Sequence, residues 1–192
     1  MFDRVVLGLD PGLTRCGWGV VAVVGPRMKH VAHGTIRTPR DAPTGDRLAI
    51  VADTVAEVIA THRPSQCALE QVLFNGNART AMATGQAAGV VMLTASRAAV
   101  AVTSYSPSQV KSAVTGYGAA DKAQMRSTVA RVLGLDALPQ TDAADALALA
   151  MCHATTDRHS AAVDAASAAA PAARTRARLD AAIAAATKRD AG

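Results

Sequence analysis

The order of apolar and polar positions along the chain predicts an α/β domain whose strands come first. Val5 to Leu9 is almost continuously apolar, which is typical of a strand buried on both faces. Pro11-Gly12 ends that strand at Asp10, because proline donates no ladder hydrogen bond and glycine readily adopts turn conformations. Two more strands, Trp18 to Val24 and His30 to Thr38, follow through short links. These three strands are therefore predicted to form an antiparallel meander.

The later segments alternate helices with strands. The predicted helices cover about residues 45–61, 78–96, a short stretch from 107, 121–133 and 142–155, and the predicted strands between them cover residues 66–72 and 100–105. Right-handed crossovers place these later strands parallel to the first strand. The pattern thus predicts a five-stranded mixed sheet flanked by helices.

The composition changes near Asp157, where alanine with scattered charged and small polar residues replaces the mixed sequence of the domain. Such a segment offers little large apolar surface to offset the entropy cost of ordering it. We therefore expect residues 1–156 to form the domain and residues 157–192 to be an alanine-rich tail, disordered or weakly helical.

The net charge and the cysteines indicate what kind of partner and which compartment to expect. The net charge is +5 and the pI is about 9.6, which weakly favours a polyanionic partner. Three scattered cysteines, Cys16, Cys67 and Cys152, argue for a reducing cytoplasm and against disulfides or a zinc site. No apolar run reaches the roughly 18 residues that span a bilayer, and the N-terminus lacks a signal-peptide layout. We expect a cytoplasmic protein with no membrane association.

The chain has only two glutamates, Glu57 and Glu70, and they occur in different surroundings. Glu57 belongs on the polar side of a predicted surface helix. Glu70 lies inside an apolar strand, where a carboxylate is costly unless it has a partner. If that strand is the parallel neighbour of the first, the two run about 4.8 Å apart. Asp10 and Glu70, both near carboxyl ends, could then share one metal ion.

Asp142 and Asp145 are three residues apart on the last predicted helix and therefore share one helix face. Leu149 and Cys152 continue that face toward the core. Simpler interpretations remain for each acid alone, since Asp10 could start a turn and Asp142 and Asp145 could favour the helix dipole. Taken together, the four acids would offer a metal ion only oxygen ligands, with no His/Cys cluster nearby, and such ligands suit Mg²⁺ or Mn²⁺. Two such ions about 4 Å apart suit phosphodiester hydrolysis.

Four groups of motifs, taken as a set, resemble those of a known protein family. Gly-Leu-Asp-Pro-Gly with Cys-Gly-Trp-Gly, Leu-Glu-Gln-Val, Gln-Val-Lys with Thr-Gly-Tyr-Gly, and Thr-Asp-Ala-Ala-Asp-Ala-Leu-Ala stand in this order. In order and spacing, this set resembles the RuvC Holliday-junction resolvases over about residues 4 to 155. The resemblance implies a ribonuclease H-like fold and a homodimer that resolves four-way DNA junctions by paired symmetric nicks. It also implies Mg²⁺ as cofactor, with two ions per site, a short T-rich cutting context, and the RuvA–RuvB branch-migration complex as partner.

The resemblance also assigns residues. Asp10, Glu70, Asp142 and Asp145 match the four metal-binding acids of the family. Lys111 and Lys122, on either side of the glycine loop 115–118, match its basic residues beside the scissile phosphate. Ordinary surface lysines are the alternative.

Four further residues are predicted to face DNA, namely Leu73, Phe74, Asn77 and Arg79. Phe74 falls in a polar loop, where it could stack or wedge at a crossover or fold back on the core. The family often has its stacking aromatic three residues after the glutamate, where this chain has Leu73. The choice between Leu73 and Phe74 stays open.

The long helix over 78–96 carries a stripe of small residues that would let another backbone approach closely. The stripe consists of Ala81, Gly85, Ala88, Gly89 and Met92. By resemblance it is the dimer interface, while packing against the protein's own sheet explains the pattern equally well.

Three other functions compete with the junction resolvase. A YqgF-like RNA-processing nuclease shares the fold and the early Asp and Gly pattern. An actin-like or sugar-kinase ATPase has a similar first phosphate loop, but it needs a second loop and a second lobe for which this chain is too short. A junction-binding module with an inactive metal site is the third alternative.

Overall fold

The structure is a computed structural model that describes residues 3–72 and 78–164, with side chains described as far as residue 156. The chain divides into two units, residues 1–157 and 158–192. The elements in chain order are β1 (Arg4–Asp10), β2 (Arg15–Val24), β3 (Arg27–Arg37), α1 (Thr44–His62), β4 (Gln66–Glu70), α2 (Ala78–Arg97), β5 (Ala101–Tyr105), α3 (Pro107–Thr115), α4 (Lys122–Leu133) and α5 (Thr141–Asp164).

The predicted order of strands and helices is confirmed, and the ends of several elements differ. β3 begins at Arg27 and not at His30, and β4 ends at Glu70 and not at Val72. β2 begins at Arg15, three residues before the predicted start, since pairing with β3 already begins there. α5 runs on to Asp164, past the predicted end at Thr155. Residues 165–192 lie outside the described residues, so the predicted tail stays a prediction.

The five strands form one mixed sheet in the order β3-β2-β1-β4-β5, as the sequence predicts. β1 pairs antiparallel with β2 and parallel with β4, and β4 pairs parallel with β5. β1 is therefore central, and the carboxyl ends of β1, β4 and β5 share one edge of the sheet.

Alternate residues of the sheet supply two separate hydrophobic cores. Val6 points to the layer built from α3, α4 and α5, whereas Leu7 and Leu9 point to the layer of α1 and α2. All three side chains are fully buried, which explains why β1 reads as a continuous apolar run. The result is a three-layer α/β/α domain of the ribonuclease H-like class, as predicted.

Strand glycines let α5 lie directly on the sheet. A Cβ atom on Gly8 would overlap the carbonyl oxygen of Ala146 and lie 2.7 Å from the backbone nitrogen of Ala150. One on Gly19 would stand 2.9 Å from the backbone nitrogen of Leu147. Because real Cβ atoms do not approach backbone this closely, the glycines fix how near the helix can come to β1 and β2.

The stripe of small residues on α2 divides between two environments. Ala81 and Ala88 are buried against the protein's own core. Gly85 and Gly89 face open space, and Met92 is exposed. The stripe therefore straddles the boundary between the buried and the exposed side of the helix: core packing accounts for Ala81 and Ala88, and the dimer interface stays a prediction.

Within the described residues, no helix is both long enough and apolar enough to cross a membrane. All three cysteines are free and buried.

Candidate active site at the carboxyl edge of the sheet

The backbone brings Asp10 and Glu70 together at the ends of two hydrogen-bonded strands. Leu9 pairs with Leu69 in the parallel β1–β4 ladder, so Asp10 and Glu70 follow at neighbouring positions. Pro11 and Gly12 then turn the chain, and Gly12 is required because a Cβ atom there would overlap the carbonyl oxygen of Arg15. The predicted parallel pairing of the two acidic strands is confirmed.

The first turn of α5 brings Asp142 and Asp145 to the same edge. Asp10 pairs with Gly17 across the β1–β2 ladder, and a Cβ atom on Gly17 would stand 2.6 Å from the carbonyl carbon of Asp142. The backbone of Asp142 thus rests on the residue opposite Asp10. Leu149 and Cys152, farther along α5, are buried, as the shared face with the two acids predicts.

Two of the four carboxyl groups, those of Asp10 and Asp145, have raised pKa values. The pKa of Asp10 is raised from 3.8 to about 8, most of all by burial and then by the charge of Glu70, the charge of Asp145, a hydrogen bond with Glu70 and the charge of Asp142. Burial likewise raises the pKa of Asp145, with contributions from Glu70 and Asp142. These four acids, Asp10, Glu70, Asp142 and Asp145, are called the acid pocket below.

The acid pocket is not a finished metal site. In the described ranges, no three Asp, Glu, His or Cys side chains stand where they could hold a metal ion as they are. The chemistry of the donor set nevertheless fits a hard cation, since it consists of carboxylates whose mutual repulsion a cation would relieve.

Positively charged side chains from α4 and from the start of β2 lie near two of the four acids. Lys122 and Arg126 of α4 oppose the rise in the pKa of Asp145, which places both charges near that carboxylate. The Arg15 Nε atom lies 3.7 Å from Asp142 Oδ2. Arg15 and Arg126 are not among the site residues predicted from the sequence. The spacing of Lys122 and Arg126, four residues apart on one helix face, is the signal that identifies the latter.

The other predicted site residues fall in different places. Lys111 is half-buried on α3, and in the described part of the chain it makes no ion pair with the acid pocket. Arg79 is exposed in the first turn of α2 and lines a cleft that also includes Asp142. Leu73, Phe74 and Asn77 lie outside the described residues, so which of Leu73 and Phe74 is the wedge stays open.

The raised pKa of Asp10 predicts a pH-dependent stability in the absence of metal. Between pH 4 and pH 8 the folded state keeps a proton on Asp10 that the unfolded chain has lost, so stability falls as the pH rises through this window. Asp10→Asn removes the contribution of Asp10 to this pH dependence. In thermal unfolding with EDTA, we expect the variant to exceed the wild type in Tm at pH 8.5 and to match it at pH 4.

Asp53→Asn, on the exposed side of α1, is the matched control and should follow the wild type at every pH. Parallel Tm curves for the wild type and Asp10→Asn would contradict the raised pKa.

Comparison with known proteins gives matches over most of the chain. The family model described as crossover junction endodeoxyribonuclease RuvC matches residues 6–153. The crossover junction endodeoxyribonuclease RuvC of Rubrobacter xylanophilus is 48% identical over 160 residues, which cover 83% of this chain and 89% of the relative. That of Streptomyces griseus subsp. griseus is 51% identical over 150 residues, covering 77% of this chain and 74% of the relative.

A solved structure with the same fold is that of T. thermophilus RuvC in complex with a Holliday junction substrate. It is 36% identical in sequence, and the superposition has a TM-score of 0.79 and covers 82% of this chain and 97% of that chain.

Proposed function

The chain belongs to the RuvC family of crossover junction endodeoxyribonucleases, and we propose that its acid pocket is where it cuts four-way DNA junctions. The protein is a junction-resolving endonuclease of DNA recombination and repair. The observation that carries the assignment of the site is the placement of the four acids at one edge of the sheet, where the charges of Glu70, Asp145 and Asp142 help to raise the pKa of Asp10. The YqgF-like RNA nuclease is not favoured by the relatives.

Enzymes of this family are metal-dependent nucleases. We infer that Asp10, Glu70, Asp142 and Asp145 hold two Mg²⁺ ions, with Mn²⁺ as a substitute, because all-oxygen ligands suit these cations. When bound, such ions activate a water molecule and stabilise the leaving oxygen at a phosphodiester. The carboxylates must rearrange to serve as ligands, since no three of the described acidic, His or Cys side chains stand where they could hold a metal ion.

The cations of the chain have separate tasks in this proposal. Lys122, close enough to Asp145 to oppose the rise in its pKa, provides positive charge for the scissile phosphate. Within the described residues Lys111 on α3 makes no ion pair with the acids, and we propose that it contacts the DNA backbone after the loop 115–121 adjusts. Leu73, Phe74, Asn77 and Arg79 remain the candidates for DNA contacts next to the crossover.

A cleavage assay tests the function. The protein is incubated with Mg²⁺ and labelled four-way junction, linear duplex or structured RNA. We expect paired symmetric nicks in the junction alone. Cleavage of RNA would support the YqgF-like alternative, and binding without cleavage would support a junction-binding module.

The exposed side of α2 supports a homodimer. Met82, Met92 and Leu93 are 66%, 42% and 52% exposed, and Gly85 and Gly89 between them carry no side chain. Large apolar side chains grouped on one helix face suggest an interface. A two-fold dimer would place equivalent acid pockets on two strands of the junction, which suits paired nicks.

Met92→Lys combined with Leu93→Lys is expected to convert the dimer to a monomer, because two buried charges would face their own copies across the two-fold axis. Light scattering after size exclusion measures the mass. Leu138→Lys, at a residue that is 58% exposed in the α4–α5 loop, is the control and should stay dimeric. A double variant with the mass of a dimer would exclude this face.

The RuvA–RuvB complex remains the proposed partner on family grounds. The free, buried thiols of Cys16, Cys67 and Cys152 fit a reducing compartment, and the proposal therefore places the activity in the cytoplasm.

A further inference from the structure

A cleft of about 400 Å³ opens next to the acid pocket, between the β1–β2 turn and the first two turns of α2. Arg15 and Arg79 provide two positive charges against the one negative charge of Asp142, and Thr14, Thr80 and Thr84 provide hydroxyl groups. A surface with this charge balance suits an anion, and Asp142 connects it to the acid pocket.

Arg15 stands between the cleft and the acid pocket. Its side chain is 55% exposed, and its Nε atom lies 3.7 Å from Asp142 Oδ2. At this distance the contact is an ion pair and not a hydrogen bond, so it consumes none of the five N–H donors of the guanidinium. Arg15 can therefore stay beside Asp142 while it donates to an oxygen anion in the cleft.

The β1–β2 turn that precedes Arg15 is held in place by hydrogen bonds from the end of β3 and from α1. The buried Thr38 hydroxyl donates to the Leu13 carbonyl oxygen at 2.6 Å, and the Thr38 N–H donates to the Thr14 carbonyl oxygen at 3.2 Å. Arg47 of α1 donates from Nε to Thr38 Oγ1 at 2.9 Å and from Nη2 to Thr14 Oγ1 at 2.8 Å. Because Thr14 accepts from Arg47, its own hydroxyl proton can point to another acceptor.

We propose that this cleft binds a phosphate of the DNA backbone that neighbours the phosphate being cut. Arg15 is the residue that contacts it. The guanidinium bridges the phosphate and Asp142, and so fixes the position of the strand relative to the acid pocket. A planar guanidinium makes paired hydrogen bonds to phosphate oxygens, which a single ammonium cannot reproduce. The proposal rests on the proposed function, which supplies DNA as the ligand.

The salt dependence of binding tests the phosphate contact separately from cleavage. Junction affinity is measured in EDTA by fluorescence anisotropy at several KCl concentrations, for wild type, Arg15→Gln and Arg15→Lys. Each phosphate contact that is lost reduces the slope of log Kd against log [KCl] by about one. We expect Arg15→Gln to reduce this slope by about one per acid pocket and to weaken binding about fivefold or more at low salt. Arg15→Lys keeps the positive charge and should keep the slope.

Arg97→Gln is the matched control. Arg97 is exposed at the far end of α2, about 27 Å along the helix from Arg79, and its replacement should leave the slope unchanged. A wild-type slope in Arg15→Gln would overturn the proposal. If cleavage also fell in that case, Arg15 would act only by positioning Asp142. Failure of the wild type to cut junctions would refute the proposed function instead, and the slopes would still decide whether Arg15 contacts a phosphate.

Discussion

Asp145→Asn is expected to reduce junction cleavage about a thousandfold or more, with junction affinity nearly unchanged. The substitution keeps the size of the side chain and removes the charge that would hold a cation, and the loss of one such group from an electrostatic site costs two to three orders of magnitude or more. Affinity survives because contacts with phosphates, and not the acids, supply most of it. Single-turnover cleavage with Mg²⁺ and binding in EDTA measure the two quantities.

Asp53→Asn makes the same change of charge on the exposed side of α1 and should cleave like the wild type. Cleavage by Asp145→Asn within tenfold of the wild type would remove Asp145 from the reaction.

Gly17→Ala is expected to disturb both the fold and the site, because Gly17 of β2 packs directly against the backbone of Asp142 at the start of α5. The new methyl group would overlap the carbonyl oxygen of Asp142 and stand 2.6 Å from its carbonyl carbon. The start of α5 must move away, which should cost about 2–4 kcal/mol and lower the Tm by roughly 10 °C. Cleavage should fall at least about tenfold even at a temperature where the variant is folded, because Asp142 moves with the helix.

The control is Gly45→Ala in α1, where a Cβ atom meets nothing within 4 Å. That change should be neutral or stabilise the protein by up to about 1 kcal/mol. A Gly17→Ala variant with wild-type Tm and cleavage would show that the helix does not rest on this glycine.

The sequence was sufficient for the fold because its local signals agree with the final packing. The apolar run of β1 predicts a central strand, and both of its faces are in fact covered. Glu70, an acid within an apolar strand, is explained by its position at the strand end beside Asp10. Asp121 and Gln124 form a capping box at the start of α4, where the sequence predicts a helix from residue 121.

What the sequence left open depends on contacts between distant segments. Glycine spacing on α2 could not distinguish the side that packs on the core from the exposed side, so Ala81 and Ala88 were grouped with Gly85 and Gly89. No local pattern indicates that Arg15 reaches Asp142, because the pair is separated by 127 positions (142 − 15) along the chain.

The position of bound metal tests the central claim most directly. Crystals of the protein soaked in Mn²⁺ give an anomalous difference map that locates the ions without reference to activity. We expect peaks within coordination distance of Asp10, Glu70, Asp142 and Asp145, and their loss in Asp10→Asn. A map from well-ordered crystals whose peaks lie away from these carboxylates, or which has no peak among them at saturating Mn²⁺, would contradict the assignment of the acid pocket as the metal-binding active site.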